Sequence, residues 1–157
     1  MNHPASERTG SRKIVQIPTS GRPLGEWRQR AALLGVLEGE EAGPDRWCLW
    51  IRSGTGNRTP VLWPAGYHAR LDPLEVLNAS GQPFARVGEH LVLGGGFRLV
   101  DPDDPCSLGR DQAFYVQDET PARARSWREY IETRPNYDGK SELAGNDPGD
   151  KPKPTVR

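Results

Sequence analysis

The chain has 157 residues, 34% of them hydrophobic, with 18 glycines, 15 prolines and 21 basic against 21 acidic side chains. That length allows one domain with residues to spare, and no apolar run approaches the roughly 20 residues of a membrane-spanning helix. The zero net charge hides an asymmetry: residues 1–30 carry six basic and two acidic side chains, residues 31–118 seven basic and twelve acidic, so the centre lacks the clustered Lys and Arg that nucleic-acid backbones require, which argues against nucleic acid as a partner.

Residues 1–30 are polar apart from Ile14 to Ile17 and predict a mostly disordered N-terminal arm. They contain no apolar stretch of the kind a secretion signal carries, so the expected location is the cytoplasm, with an exported or cell-envelope location as the alternative. From residue 31 onward, short apolar runs recur about every ten residues, each closed by Gly, Pro, Asp or Asn. This cadence predicts an all-β domain over residues 31–118, a small antiparallel barrel of OB-like character. Some 88 residues bury roughly 60–65% of their unfolded surface, enough to fold alone with a thin margin.

The expected strands cover residues 31–38, 47–51, 59–63, 67–71, 82–87, 90–93, 97–100 and 113–117. An acidic turn is expected at residues 40–45, a glycine-rich hairpin loop at 53–57, and a break or bend at Gly94-Gly95-Gly96. In the second strand, period-2 alternation puts Trp47, Leu49 and Ile51 on one face and Cys48 and Trp50 on the other. After the barrel, Thr120 as cap and Pro121 as first helical residue predict a helix over residues 119–134. Ala124, Trp127, Tyr130 and Ile131 line one face of it. Residues 135–157, rich in Pro, Gly, Asp and Lys, predict a disordered tail.

Motifs that carry chemistry are scarce. The run Gly54-Thr55-Gly56-Asn57-Arg58-Thr59 leads into Pro60 and a strand, whereas a phosphate cradle needs a helix N-terminus. Asp101-Pro102-Asp103-Asp104 fails the EF-hand register, with Cys106 at the glycine position and Gln112 at the glutamate position. His68, His90, Cys48 and Cys106 lack the close pairing of structural zinc ligands. No nucleophile–base pair can be named, so the chain reads as no enzyme, without cofactor and without metal.

Cys48 and Cys106 admit two readings. A bridge would pin the long loop before the last strand onto the barrel, while two reduced thiols would suit the cytoplasm. The aromatic residues are the remaining candidates. Trp50, Arg58, Trp63 and Tyr67 form the expected binding face, because rings on the outside of a small barrel stack bases or sugars. Against this, Trp63 and Tyr67 flank Pro64 and could simply pack around that turn.

The succession Cys48-Leu49, Val61-Leu62-Trp63-Pro64-Ala65-Gly66, Gly81, Val87-Gly88, Leu93-Gly94-Gly95-Gly96 and Cys106 resembles uncharacterised bacterial small β-barrel proteins, some of them exported. These share a Trp-Pro-x-Gly turn and a Gly-Gly strand end followed by a cysteine. The resemblance covers residues 31–117 and implies the fold but supplies no catalytic residue. The expected function is a non-enzymatic binding module for a small molecule, a glycan or a protein. The alternative is a structural or assembly protein that contacts a partner through its C-terminal helix and tails.

Overall fold

The computed structural model describes residues 13–24, 31–118 and 120–133. The disorder expected for residues 1–12, 25–30 and 135–157 lies outside the described residues. Two compact units, residues 1–123 and 124–157, divide the chain.

The first unit is all-β, as the turn-punctuated cadence predicts. Its strands are β1 (Ile14–Val15), β2 (Ala31–Gly43), β3 (Arg46–Arg52), β4 (Arg58–Leu62), β5 (His68–Arg70), β6 (Glu75–Leu77), β7 (Pro83–Arg86), β8 (His90–Leu99) and β9 (Gln112–Val116). Five of them close a barrel in the order β2-β3-β4-β9-β8, and the others form a sheet β1-β5-β6-β7. Strands β2 to β4 follow one another as antiparallel hairpins. The chain then adds β5 to β7 to the small sheet before β8 returns to pair with β2, and β9 fills the gap between β8 and β4. The closing β4–β9 pair is parallel and short, matching Val61 with Phe114 and Leu62 with Tyr115. The barrel is therefore antiparallel at every seam but one. Pro60, which cannot donate to a ladder, lies just before that seam begins.

Alternation decides which side chains enter the barrel. Leu37, Leu49, Ile51, Val61, Leu91 and Phe114 are essentially without exposure and form one continuous core. Val15, Ala69, Val76 and Phe84 of the second sheet belong to the same core. With Val15 and Ile17 in it, the core is larger than residues 31–118 alone supply.

Several boundaries differ from expectation for identifiable reasons. Strand β2 continues through the acidic residues 40 and 41 to Gly43, and the turn shrinks to Pro44-Asp45, where Asp45 takes φ 60°. Gly94-Gly95-Gly96 neither breaks nor bends away from β8, which runs through all three. A Cβ at Gly95 would collide with the Tyr115 carbonyl of β9, so the glycine permits close strand approach rather than a turn.

Residues 13–24, expected in the disordered arm, are stitched to the fold. Leu71 N–H donates to the Lys13 carbonyl (2.9 Å), Trp47 N–H to the Gln16 carbonyl (2.9 Å) and Trp63 N–H to the Pro18 carbonyl (3.0 Å). Val15 and Ile17 are thereby buried.

The second unit contributes α1 (Trp127–Thr133) among the described residues. It starts later than the Thr120-Pro121 pair predicts, because Ala122 is held extended by two hydrogen bonds to Val92 (2.8 and 3.1 Å). The cap is Ser126, whose Oγ accepts from Glu129 N–H (3.0 Å), while Glu129 Oε1 accepts from Arg125 N–H (2.6 Å). This is the reciprocal Ser-x-x-Glu arrangement of a capping box, displaced by one residue on its return bond.

Candidate functional site

The four expected binding residues separate into two pairs. Trp63 and Tyr67 are core residues: their rings stack at 6.4 Å and both meet Phe84 edge-on, at 5.7 and 5.5 Å. Their exposures are 0% and 5%, so they present no surface to a ligand. Trp50 and Arg58 stand on the outer face of β3 and β4, with the Arg58 guanidinium 5.0 Å from the Trp50 ring centroid.

Trp50 faces outward as the alternation requires, yet it is only 5% exposed. It packs with Cys48 and Cys106, and Ala42 and Leu108 lie against them. Cys48 and Cys106 are joined, with S–S 2.01 Å and Cα–Cα 4.9 Å. The bridge draws the loop between β8 and β9 down onto the barrel wall. The loop is ordered locally as well: Asp104 caps a 3₁₀ turn over Pro105–Ser107 by accepting from Cys106 N–H (2.8 Å). Ser107 Oγ donates back to the Asp104 carbonyl (2.7 Å).

Glu38 on β2 organises the other side of the tryptophan. Its Oε1 accepts from Trp50 Nε1 (2.9 Å) and its Oε2 from Arg52 Nε (2.7 Å). Those two bonds, Arg52's first and Trp50's second, hold the Glu38 carboxyl below its usual range. A carboxylate whose folded pKa is depressed stabilises the fold above its unfolded pKa and loses that contribution as pH falls through the folded value. Glu38→Gln is accordingly expected to lower Tm by a few degrees at pH 7. The gap between wild type and variant should close as pH falls below the usual carboxylate range, as thermal melts at successively lower pH will show.

Beside this cluster, the loop and the wall line a half-open cavity of about 260 Å³. Its apolar wall comes from Pro60 and Leu62 of β4 and Ala113 of β9, and Pro60 is the cross-strand partner of Trp50. Residues 18–20 form one rim, and residues 98–101 with Asp104, Cys106 and Ser107 form the other. Arg98 spans the two, donating from Nη1 to the Ser20 carbonyl (3.2 Å). Asp101 is turned towards its own loop, its Oδ1 accepting from Asp103 N–H (2.9 Å), and Asp104, besides capping the 3₁₀ turn, lies 3.7 Å from Arg46 of β3. The cavity thus combines an apolar wall with the Arg98 guanidinium, the Asp101 and Asp104 carboxylates and the side chains of Thr19, Ser20 and Ser107, beside a loop fixed by a covalent bond.

Sequence reasoning missed Arg98, Ser107 and residues 18–20. Arg98 carried a signal, since a charged residue between Phe97 and Leu99 in a strand must point opposite to them. Residues 18–20 carried none, because their place depends on pairing with Trp63, more than forty residues away in the chain.

Other titratable groups do not converge here. Buried Glu75 is held by Arg70 (3.0 Å) and Arg86 (3.8 Å). Asp118 accepts from Gly94 N–H (2.7 Å), with burial pushing its pKa up. Among the described residues, no three His, Cys, Asp or Glu side chains are grouped to hold a metal ion. No family model matches the chain, and neither does any curated protein or solved structure.

Proposed function

We propose that the barrel is an OB-like, non-enzymatic binding module whose ligand occupies the cavity between β4, β9 and the disulfide-pinned loop. The observation that carries this reading is the cavity itself, a concave space of about 260 Å³ with an apolar wall and a polar rim. In OB-type barrels the second and third strands carry the ligand face, and β4, the third strand of this barrel, supplies Pro60 and Leu62. The volume lies just below the roughly 300–1,000 Å³ of drug-sized sites, which favours a monosaccharide or a single amino-acid derivative. A sugar suits the mixture: its C–H face meets Pro60, Leu62 and Ala113, and its hydroxyls meet Arg98, Ser20 and Ser107.

The buried Cys48–Cys106 bridge supports an oxidising compartment, because such bonds persist in exported and envelope proteins and are rare in reducing cytosol. A glycan ligand fits that setting.

The test is an amide-resolved NMR titration with glucose, N-acetylglucosamine, glucuronic acid and N-acetylated amino acids. A saturable shift of the Ala113 and Ser107 signals is expected for at least one of them. Leu62→Trp, which fills the cavity from its apolar wall, should abolish that shift while the spectrum stays folded. Absence of any saturable shift, or a shift unchanged in Leu62→Trp, would overturn the reading.

A second reading, an assembly protein that contacts a partner through its C-terminal helix, draws on Trp127, a residue 47% exposed. Alanine at Trp127 would then reduce self-association or partner capture without touching the cavity signals.

A further inference from the structure

Arg52 and Arg58 are directly opposite each other on β3 and β4. Like charges in that position destabilise a sheet, so the pairing requires compensation. Glu38 supplies it on one side, since its two oxygens are engaged by Arg52 Nε and Trp50 Nε1. Arg58 receives no such bond: it feels the Glu38 charge without pairing to it, among the described residues no carboxylate is ion-paired with it, and its contact is the Trp50 ring at 5.0 Å. The indole itself is fixed by the Glu38 hydrogen bond and by the disulfide cluster on its other flank. An exposed guanidinium resting on an immobilised ring is already ordered, which lowers the entropy cost of engaging a ligand.

The geometry points to Arg58, with Arg52 opposite, as an oxyanion subsite on the ligand face of the barrel. Its chemistry is that of a planar fork of N–H donors, suited to two oxygens of a carboxylate or phosphate. Arg58 precedes the cavity residue Pro60 by two positions on the same face of β4, about 7 Å along the strand. One sugar unit in the cavity and an acidic group on its neighbour span that distance. The ligand class is therefore an acidic saccharide, its acid being either a uronate or a phosphate ester. This inference rests on the cavity reading for the neutral part of the ligand. The anion subsite can be tested without that part.

The experiment follows the Trp50 indole N–H signal during titrations with sodium acetate, inorganic phosphate, glucuronic acid and glucose 6-phosphate at constant ionic strength. A saturable shift is expected with the anions and not with glucose. The acetate and phosphate arms, compared with their sugar counterparts, tell a carboxylate from a phosphate preference. Arg58→Ala should weaken the apparent affinity by roughly tenfold or more, and Arg58→Lys should restore part of it, because an ammonium supplies charge without the fork. No saturable shift with any anion, or one that survives in Arg58→Ala, overturns the subsite. The two failures are separable. Cavity signals at Ala113 and Ser107 that move while the indole stays fixed remove the anion subsite and leave the module. An indole that moves with acetate or phosphate while every sugar leaves the cavity signals fixed retains the subsite and removes the module.

Discussion

Gly95→Ala is expected to cost about 3 kcal/mol of stability and Gly95→Val to leave the barrel largely unfolded, as urea denaturation followed by tryptophan fluorescence will show. Gly95 lies on β8 opposite Val116, and an added Cβ would run into the Tyr115 carbonyl of the neighbouring strand. That carbonyl is part of the barrel wall and cannot rotate away as a flexible side chain would. The strands must instead separate, and overpacking of this kind typically costs 1–3 kcal/mol, occasionally more. Valine adds two methyl groups to the same collision. Domains of this size have only about 5–15 kcal/mol in reserve, so a displaced β8–β9 ladder takes much of it. Equal urea midpoints for wild type and Gly95→Ala would show that β8 and β9 do not approach as closely as the register requires.

Loss of the disulfide is the second large effect. The double variant Cys48→Ala/Cys106→Ala is expected to be destabilised by about 4 kcal/mol, since the bond closes a 58-residue separation and cross-links of that span restrict the unfolded chain accordingly. The consequence for the site exceeds the consequence for the barrel. Strands β2, β3, β4, β8 and β9 stay hydrogen-bonded to one another without the bridge, whereas the loop carrying Asp104, Cys106 and Ser107 is fastened to β3 by it. A urea midpoint unchanged from wild type would mean that packing of Trp50, Ala42 and Leu108 holds the loop unaided.

The barrel was legible in the sequence because its information is local. Trp47 to Ile51 is a short unbroken apolar run, and each such run ends in a residue that favours a turn, so the strand follows from local pattern and its two faces from the two-residue period. Other features depend on partners distant in the chain. Gly95 reads as a strand breaker until Tyr115 is placed beside it. Thr120-Pro121 reads as a helix start until Val92 captures Ala122 in an extended bridge, after which Ser126 and Glu129 supply the cap. Val15 and Ile17 alternate over too few residues to suggest a strand, and their burial follows from pairing with β5 and with Trp47.

The site divides along the same line. That Trp50 faces away from Leu49 and Ile51 follows from alternation. That it is roofed by a disulfide cluster, with a cavity beside it, does not. The cavity is assembled from residues 18–20, from β4 and from residues 98–113, three segments that no sequence window contains together. Trp63 and Tyr67 illustrate the opposite difficulty. Aromatic residues at a turn are equally compatible with a surface platform and with a core, and here both rings pack inward against Phe84 of β7.

If a small ligand sits against β4 and β9 under the pinned loop, isotope-filtered NOE spectroscopy of the labelled protein with saturating glucuronic acid will show contacts from the sugar ring protons to the methyl groups of Leu62 and Ala113. Contacts confined to other surfaces, such as the Trp127 helix, or no contacts from a folded protein at saturating ligand, would contradict that placement.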